Sequence, residues 1–270
     1  MIVKAEPEMP TLVELAARFG PMPAGRIRLR PFPATEEDVI RIDAREDRLC
    51  ELVDGILIEK ASGLTADTPT LEELAARFGP MPAGRIRLEH YPATEEDVVR
   101  LHEKEDVLCE LIDGILVEKT VGFNESVVAS VIIELLSAFV RKKKLGVVAG
   151  ADGMMRLAPA QVRIPDVSFV SWSQFPGGKL GKKKVPDIHP DLAVEVFSES
   201  NTKKEMDDKL ADYFASGARL VWYVDPKSRT VSVYASPAAP TVLTESDALA
   251  GEPVLPGFSV PVKELFAELP

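Results

Sequence analysis

The stretch 125–141 carries apolar residues at Val128, Val131, Ile132, Leu135, Leu136 and Phe139. That is helical spacing with a wide buried face. Further on, "GVVAG" reads as a short strand, and "MMRLAPAQVRIPDVSFVSW" reads as two strands joined around Ala158–Ala160. In "DLAVEVFSES", residues 191–200, Leu192, Val194 and Val196 fall on one side of a strand, and Ala193, Glu195 and Phe197 on the other, because side chains alternate. Both sides are apolar except at Glu195. The segment "TKKEMDDKLADYFASG" predicts a helix with Thr202 as N-cap, Glu205 completing a capping box and Gly217 as its stop. "RLVWYVDP" and "TVSVYAS" are the last clear strands. Strands interrupted by helices at this spacing indicate an α/β domain with a mixed sheet.

The first part of the chain repeats itself. Residues 11–60 and 70–119 are near copies offset by 59, identical at 38 of 50 positions. Two copies are too few for a solenoid, so the pattern reads as a tandem duplication of one segment. Each copy predicts a short helix (Leu71–Phe78 in the second), a Pro/Gly loop, a helix opened by "ATEED" with Thr94 as N-cap and Asp97 behind it, and a hairpin around Asp113-Gly114. The second copy runs directly into the rest of the chain. The first is followed by "ASGLTADTP", a linker-like stretch. The expected division is therefore an extra N-terminal copy with its linker at 1–69 and one domain at 70–270.

Composition narrows the class. At 270 residues, 46% hydrophobic and 28% charged, the chain is of ordinary globular type. No uninterrupted apolar run of about 18 residues indicates a transmembrane helix, and "MIVKAEPEMP" lacks a signal-peptide core. Cys50 and Cys109 give neither a disulfide framework nor a metal cluster, so a cytoplasmic location is expected. The net charge of −11 is uneven. Residues 1–119 hold 15 Lys+Arg against 25 Asp+Glu, and residues 120–270 hold 17 against 18. The later positive charge is clustered, in "RKKK" at 141–144, "KLGKKK" at 179–184 and Lys203-Lys204. The acidic total excludes a general nucleic-acid coat and leaves room for a local basic rim on an enzyme.

Only three histidines are present, His90, His102 and His189, with no phosphate-binding loop and no dinucleotide fingerprint. Histidine-based metal sites and Ser-His-Asp hydrolysis are disfavoured. What remains is acid in apolar strands. Glu195 is one such residue, and Asp166 in "RIPDVSFV" is another. Two carboxylates on neighbouring strands repel unless a cation or a shared proton lies between them. Mg²⁺ suits this, since it takes one or two carboxylates with water and substrate phosphate. In the following helix, Lys209 borders the apolar face of Met206, Leu210, Tyr213 and Phe214, Lys203 lies inward in the first turn, and Lys204 points to solvent. Lys209 is the candidate to reach the acids. Glu110 in "CELIDG" is a further candidate ligand, although its recurrence as Glu51 favours a structural role in the hairpin. Each residue also has a purely structural reading: Asp166 capping a turn, Glu195 in a buried ion pair with Lys209, Lys209 as a solvated helix lysine.

The ordered set "LCELIDGILVEK", "RIPDVSFV", "PDLAVEVFSESNT", "KLADYFASGARLVWYVDP" and "VSVY" resembles the Uma-two family of candidate bacterial endonucleases, over roughly residues 93–268. The resemblance implies the PD-(D/E)XK restriction-endonuclease-like fold, a mixed β-sheet flanked by helices. It also implies a site that cleaves DNA phosphodiesters with Mg²⁺ or Mn²⁺. The family's aspartate falls on Asp166 and its strand glutamate on Glu195. The wider nuclease pattern places lysine two residues after that acid, where this chain has Phe197, and Lys209 in the next helix matches the variant that supplies it from there. The expected function is a metal-dependent endonuclease with Asp166, Glu195 and Lys209 catalytic, Asp166, Glu195 and Glu110 toward the metal, Ser198 lining the site or ending the strand, and the basic clusters along the DNA backbone. The alternative is an inactive binding or assembly module on the same fold. Exchange of the spare segment between subunits makes a homodimer an available arrangement.

Overall fold

The computed structural model describes residues 8–30, 32–46, 49–60, 67–88, 91–120 and 122–269. His90 and residues 61–66 of the linker-like stretch lie outside them. Contacts divide the chain into two compact units, one of residues 1–93 with 114–118, the other of residues 94–113 with 119–270. The second copy of the repeat is thus shared between units, where the sequence placed a boundary at 69/70. The physical reason is that the opening helices of the two copies pack on each other.

Each copy has the same order of elements. The first holds α1 (Leu12–Phe19), β1 (Ile27–Arg28), α2 (Glu36–Glu46), β2 (Cys50–Val53) and β3 (Ile56–Glu59). The second holds α3 (Leu71–Phe78), β4 (Ile86–Arg87), α4 (Glu95–Glu105), β5 (Cys109–Ile112) and β6 (Ile115–Glu118). The short strands β1 and β4 were not foreseen. Both helices of the second copy start at capping threonines, Thr70, which was not singled out in the sequence, and Thr94, which was. Thr70 Oγ1 accepts from Glu73 N at 3.2 Å, and Glu73 Oε2 accepts from Thr70 N at 2.8 Å. Thr94 N likewise donates to Asp97 at 2.8 Å. Asp113 and Gly114 both take positive φ, as a tight Asp-Gly hairpin turn requires. In the first unit β3 lies between β1 and β2, and β4 pairs with β6.

The second unit adds α5 (Phe123–Lys143), β7 (Gly146–Ala149), β8 (Met155–Ala158), β9 (Gln161–Arg163), β10 (Val167–Ser171), β11 (Leu192–Val196), α6 (Lys203–Ser216), β12 (Leu220–Asp225), β13 (Thr230–Tyr234), β14 (Thr241–Leu243), β15 (Ala248–Ala250) and β16 (Ser259–Pro261). Its main sheet has the order β14-β13-β12-β11-β10-β7, with β11 and β12 parallel and the other neighbours antiparallel. It is a mixed sheet with a helix on each face. α5 brings Val128, Ile132, Leu136 and Val140 onto Leu192, Val194 and Val196. α6 brings Met206, Leu210 and Tyr213 onto Ala193, Val221 and Tyr223. By length and composition α5 is apolar enough to cross a membrane; here its apolar face packs on the sheet.

The segment 154–172 holds three strands rather than the expected two. β8 and β9 turn at Ala160 (φ 55°) and pair with each other, and β9 pairs with β5, apart from the main sheet. β10 then enters the main sheet beside β7 and β11. The break falls at Ile164-Pro165-Asp166, where proline has no N–H to extend a ladder. Asp166 therefore stands where the chain crosses from one sheet to the other.

Candidate active site

The antiparallel register Val167↔Val194 sets β10 against β11. This places Asp166, one residue before β10, at the end of β11. Its Oδ2 accepts from Val196 N at 2.7 Å. Asp166 therefore makes the kind of backbone cap expected of a turn aspartate, and it does so beside Glu195. Its other oxygen pairs with Lys119 Nζ at 2.8 Å. Glu195 lies mid-strand on the α6 face and is buried. Lys209 Nζ donates to Glu195 Oε2 at 3.0 Å, and the Tyr213 hydroxyl donates to Oε1. Met206, Lys209, Leu210 and Tyr213 share the sheet-facing stripe of α6, so one helix supplies both an apolar seal and a cation.

Glu110, on β5, closes the cluster. Its Oε1 accepts from Ile164 N at 3.0 Å and lies 3.6 Å from Lys209 Nζ. Its Oε2 accepts from Arg163 Nη1 at 2.7 Å. Arg163 also donates through Nε to Asp212 Oδ2 at 2.9 Å. In these pairs four carboxylates (Glu110, Asp166, Glu195, Asp212) face three cations (Lys119, Arg163, Lys209). The excess of acid appears at Glu195. Burial pushes its carboxyl upward, and Lys209 opposes this without cancelling it while Asp166 adds to the rise. Glu110 behaves differently. Burial would raise it, but Lys209, Arg163 and the Ile164 N–H hold it down at about 2. Burial also works against the charge on Lys209, yet Glu110 and then Glu195 outweigh it and keep the ammonium firmly protonated. Burial, followed by Glu195, raises the Tyr213 hydroxyl well above its ordinary value, so it acts as a donor.

The structure brings Asp166, Glu195, Lys209 and Glu110 together. Lys119, Arg163 and Tyr213 join them and were not singled out in the sequence. The Lys119 side chain is buried, and besides pairing with Asp166 it donates to the carbonyl oxygens of Ile164 (2.7 Å) and Ala151 (3.4 Å). The available signal was the "EK" closing each hairpin, a lysine directly after an apolar strand. Lys203 is corrected: it is not inward but largely exposed, its ammonium staying in water while it pairs with Asp207 four residues along the same helix. Lys204, expected in solvent, is less exposed and pairs with Asp208. Thr202 caps α6 through Glu205 N at 3.1 Å, while the Glu205 side chain accepts from Asn201 instead of completing a capping box. Ser198 lies two residues past the end of β11, its N–H and hydroxyl both donating to Asn201 Oδ1. Phe197 packs its ring against Tyr223 at 5.3 Å between centroids.

Among the described residues no group of three or more His, Cys, Asp or Glu side chains is arranged to share a metal ion. Asp166 and Glu195 still fit a divalent cation. They are hard oxygen donors of the number Mg²⁺ uses, and Glu195 carries the surplus of buried negative charge that a cation relieves. Glu110 fits less well, because Arg163 and Lys209 already balance its charge and hold its carboxyl down at about 2, so no surplus of negative charge is left for a cation to relieve.

Residues 95–263 match the Uma2 family model, "Putative restriction endonuclease". No curated protein matches the chain. A solved structure from Anabaena variabilis, described as "a putative nuclease belonging to DUF820", superposes with a TM-score of 0.53 at 22% identity, over 59% of this chain and 90% of that one. At that identity the likeness establishes the fold alone, a mixed α/β arrangement. Spanning more than half of the chain and both strands that position the acids, the family match shows that the chain belongs to the Uma2 family.

Proposed function

We propose that this protein is a metal-dependent endonuclease that hydrolyses DNA phosphodiester bonds through Asp166, Glu195 and Lys209. The observation that carries the reading is the convergence of two acids from neighbouring strands with a buried lysine from the next helix. Membership of a family described as "Putative restriction endonuclease" and a fold neighbour described as "a putative nuclease" support the same reading. Asp166 and Glu195 would hold Mg²⁺ or Mn²⁺, which when bound supplies the Lewis acidity that phosphodiester hydrolysis needs. Lys209, kept protonated, serves as a fixed positive charge for the phosphate oxygens as negative charge builds, rather than as a base. Tyr213 and Lys209 hold the Glu195 carboxylate in one orientation. Glu110 positions Lys209, and Arg163 holds Glu110.

The second reading is an inactive binding or assembly module on this fold. One observation favours it: every oxygen of Asp166 and Glu195 already has a protein partner. Supercoiled plasmid incubated with Mg²⁺ or Mn²⁺ separates the two. Nicking by wild type that falls by about two orders of magnitude in Glu195→Ala and Lys209→Ala supports the enzyme. No nicking by wild type, or equal trace nicking by all three, overturns it.

A further inference from the structure

The contact between the two copies in the first unit is reciprocal. Thr11 bridges Pro82, and Pro23 bridges Thr70. Leu12 N donates to Met81 O and Leu71 N to Met22 O, both at 3.0 Å. Ala83 N donates to Pro10 O and Ala24 N to Pro69 O, both at 2.9 Å. Adding 59 to a residue number in the first copy, or subtracting it in the second, turns each bond into its mate. α1 packs on α3, with Leu12, Leu15, Leu71 and Leu74 all buried, and these four line a cavity of about 460 Å³ shared by both copies. Paired, interchangeable contacts of this kind define an isologous interface, the type that joins two identical subunits about a two-fold axis. Residues 11–29 and 70–88 are identical except at Val13/Glu72, and Val13 is exposed. In chemistry the interface is that of a homodimer.

We infer that the segment 70–88 is a self-complementary docking surface for a second copy of itself, and that in this chain residues 11–29 fill it from within, in the place of a partner subunit. Two features favour the internal occupant. Tethering on the same chain gives it a high effective concentration. In addition, Arg30 pairs with Glu118 and donates to Gly84 O at 3.3 Å, whereas the second copy has Glu89 at the position equivalent to Arg30. A pair of second copies therefore loses a cation that the internal pairing has.

Two experiments on the full chain test this. In the first, Thr11→Cys with Pro82→Cys is oxidised at micromolar protein, the bridge geometry being within disulfide reach. The expected product is a disulfide within one chain, running at monomer mass. A disulfide between chains, or none, overturns the inference. In the second, light scattering coupled to size exclusion is expected to give 29.5 kDa for wild type. The pair Leu12→Arg and Leu15→Arg evicts the first copy and yields a dimer that grows with concentration. Adding Leu71→Arg and Leu74→Arg returns it to monomer. A wild-type dimer that dissociates on the first pair of substitutions overturns the internal docking. Failure of that variant to dimerise, or a dimer that survives all four substitutions, overturns the self-complementary surface.

Discussion

Glu51 and Glu110 occupy the same position in two copies of one hairpin, and their surroundings differ completely. Glu51 is 59% exposed and pairs with Lys60, itself 54% exposed. Glu110 is 3% exposed, between Arg163 and Lys209. An exposed pair contributes at most about 1 kcal/mol. Removing one partner of a buried pair costs about 3–5 kcal/mol, because the other charge is left without compensation. Urea unfolding should therefore leave Glu51→Gln within about 1 kcal/mol of wild type and shift Glu110→Gln by about 3 kcal/mol or more. Equal shifts would show that the buried cluster adds no stability of its own. The pH dependence has a defined sign. The pKa of Glu110 falls from 4.5 to about 2 on folding, so its contribution is present above pH 4.5 and is lost as pH falls from 4.5 towards 2. Glu195, raised on folding, acts the other way, favouring the fold below pH 4.5 and losing that contribution as pH climbs through its raised value. The acid limb of a stability–pH curve should flatten in Glu110→Gln and persist in Glu51→Gln.

At the level of elements, the site depends on two placements. α6 must begin so that Lys209 and Tyr213 both come down on Glu195, and Thr202 fixes that start. Thr202→Ala should cost about 1 kcal/mol, measured by thermal melting. A larger loss of nicking than Lys204→Ala produces would link the cap to Lys209 placement. The other placement is β10 between β7 and β11. Gly146 on β7 allows this, since a Cβ there would lie 2.1 Å from Val170 O, a contact with backbone that no rotamer relieves. Gly146→Ala should destabilise the second unit by several kcal/mol. An unchanged melting temperature would show that β7 can move away at little cost.

At the level of the molecule, the second unit combines a buried acid cluster with exposed lysines at 142–144 and 179–184. Lys183 and Lys184 pair with Asp187 and Glu103. If DNA is the substrate, its binding should weaken steeply with salt, with a log–log slope set by the number of phosphates neutralised. Alanine at Lys179 and Lys182 should reduce that slope by about 1–2, read by fluorescence anisotropy across a salt series. An unchanged slope places the DNA path elsewhere.

The chain's local patterns determined much of this protein. The alternation in 191–200 put Glu195 opposite Leu192, Val194 and Val196, and the structure keeps that division between α6 and α5. Period 3.6 placed Lys209 at the border of the α6 core. The caps at Thr94 and Thr202 and the turn at Asp113-Gly114 are short-range chemistry, and they stand where the sequence put them. Tertiary structure alone decided the rest. Nothing local distinguishes Glu110 and Lys119 from Glu51 and Lys60. They differ because β5 pairs with β9, whereas β2 has β3 as its only neighbour among the described residues. Arg163 and Asp212 were illegible for a related reason: each is an ordinary charged residue on its own element, and only the crossing at Pro165 brings Arg163 between β5 and α6. Burial makes an ion pair electrostatically costly unless every charge in it is compensated, and burial is a property of the packed chain rather than of any stretch of sequence.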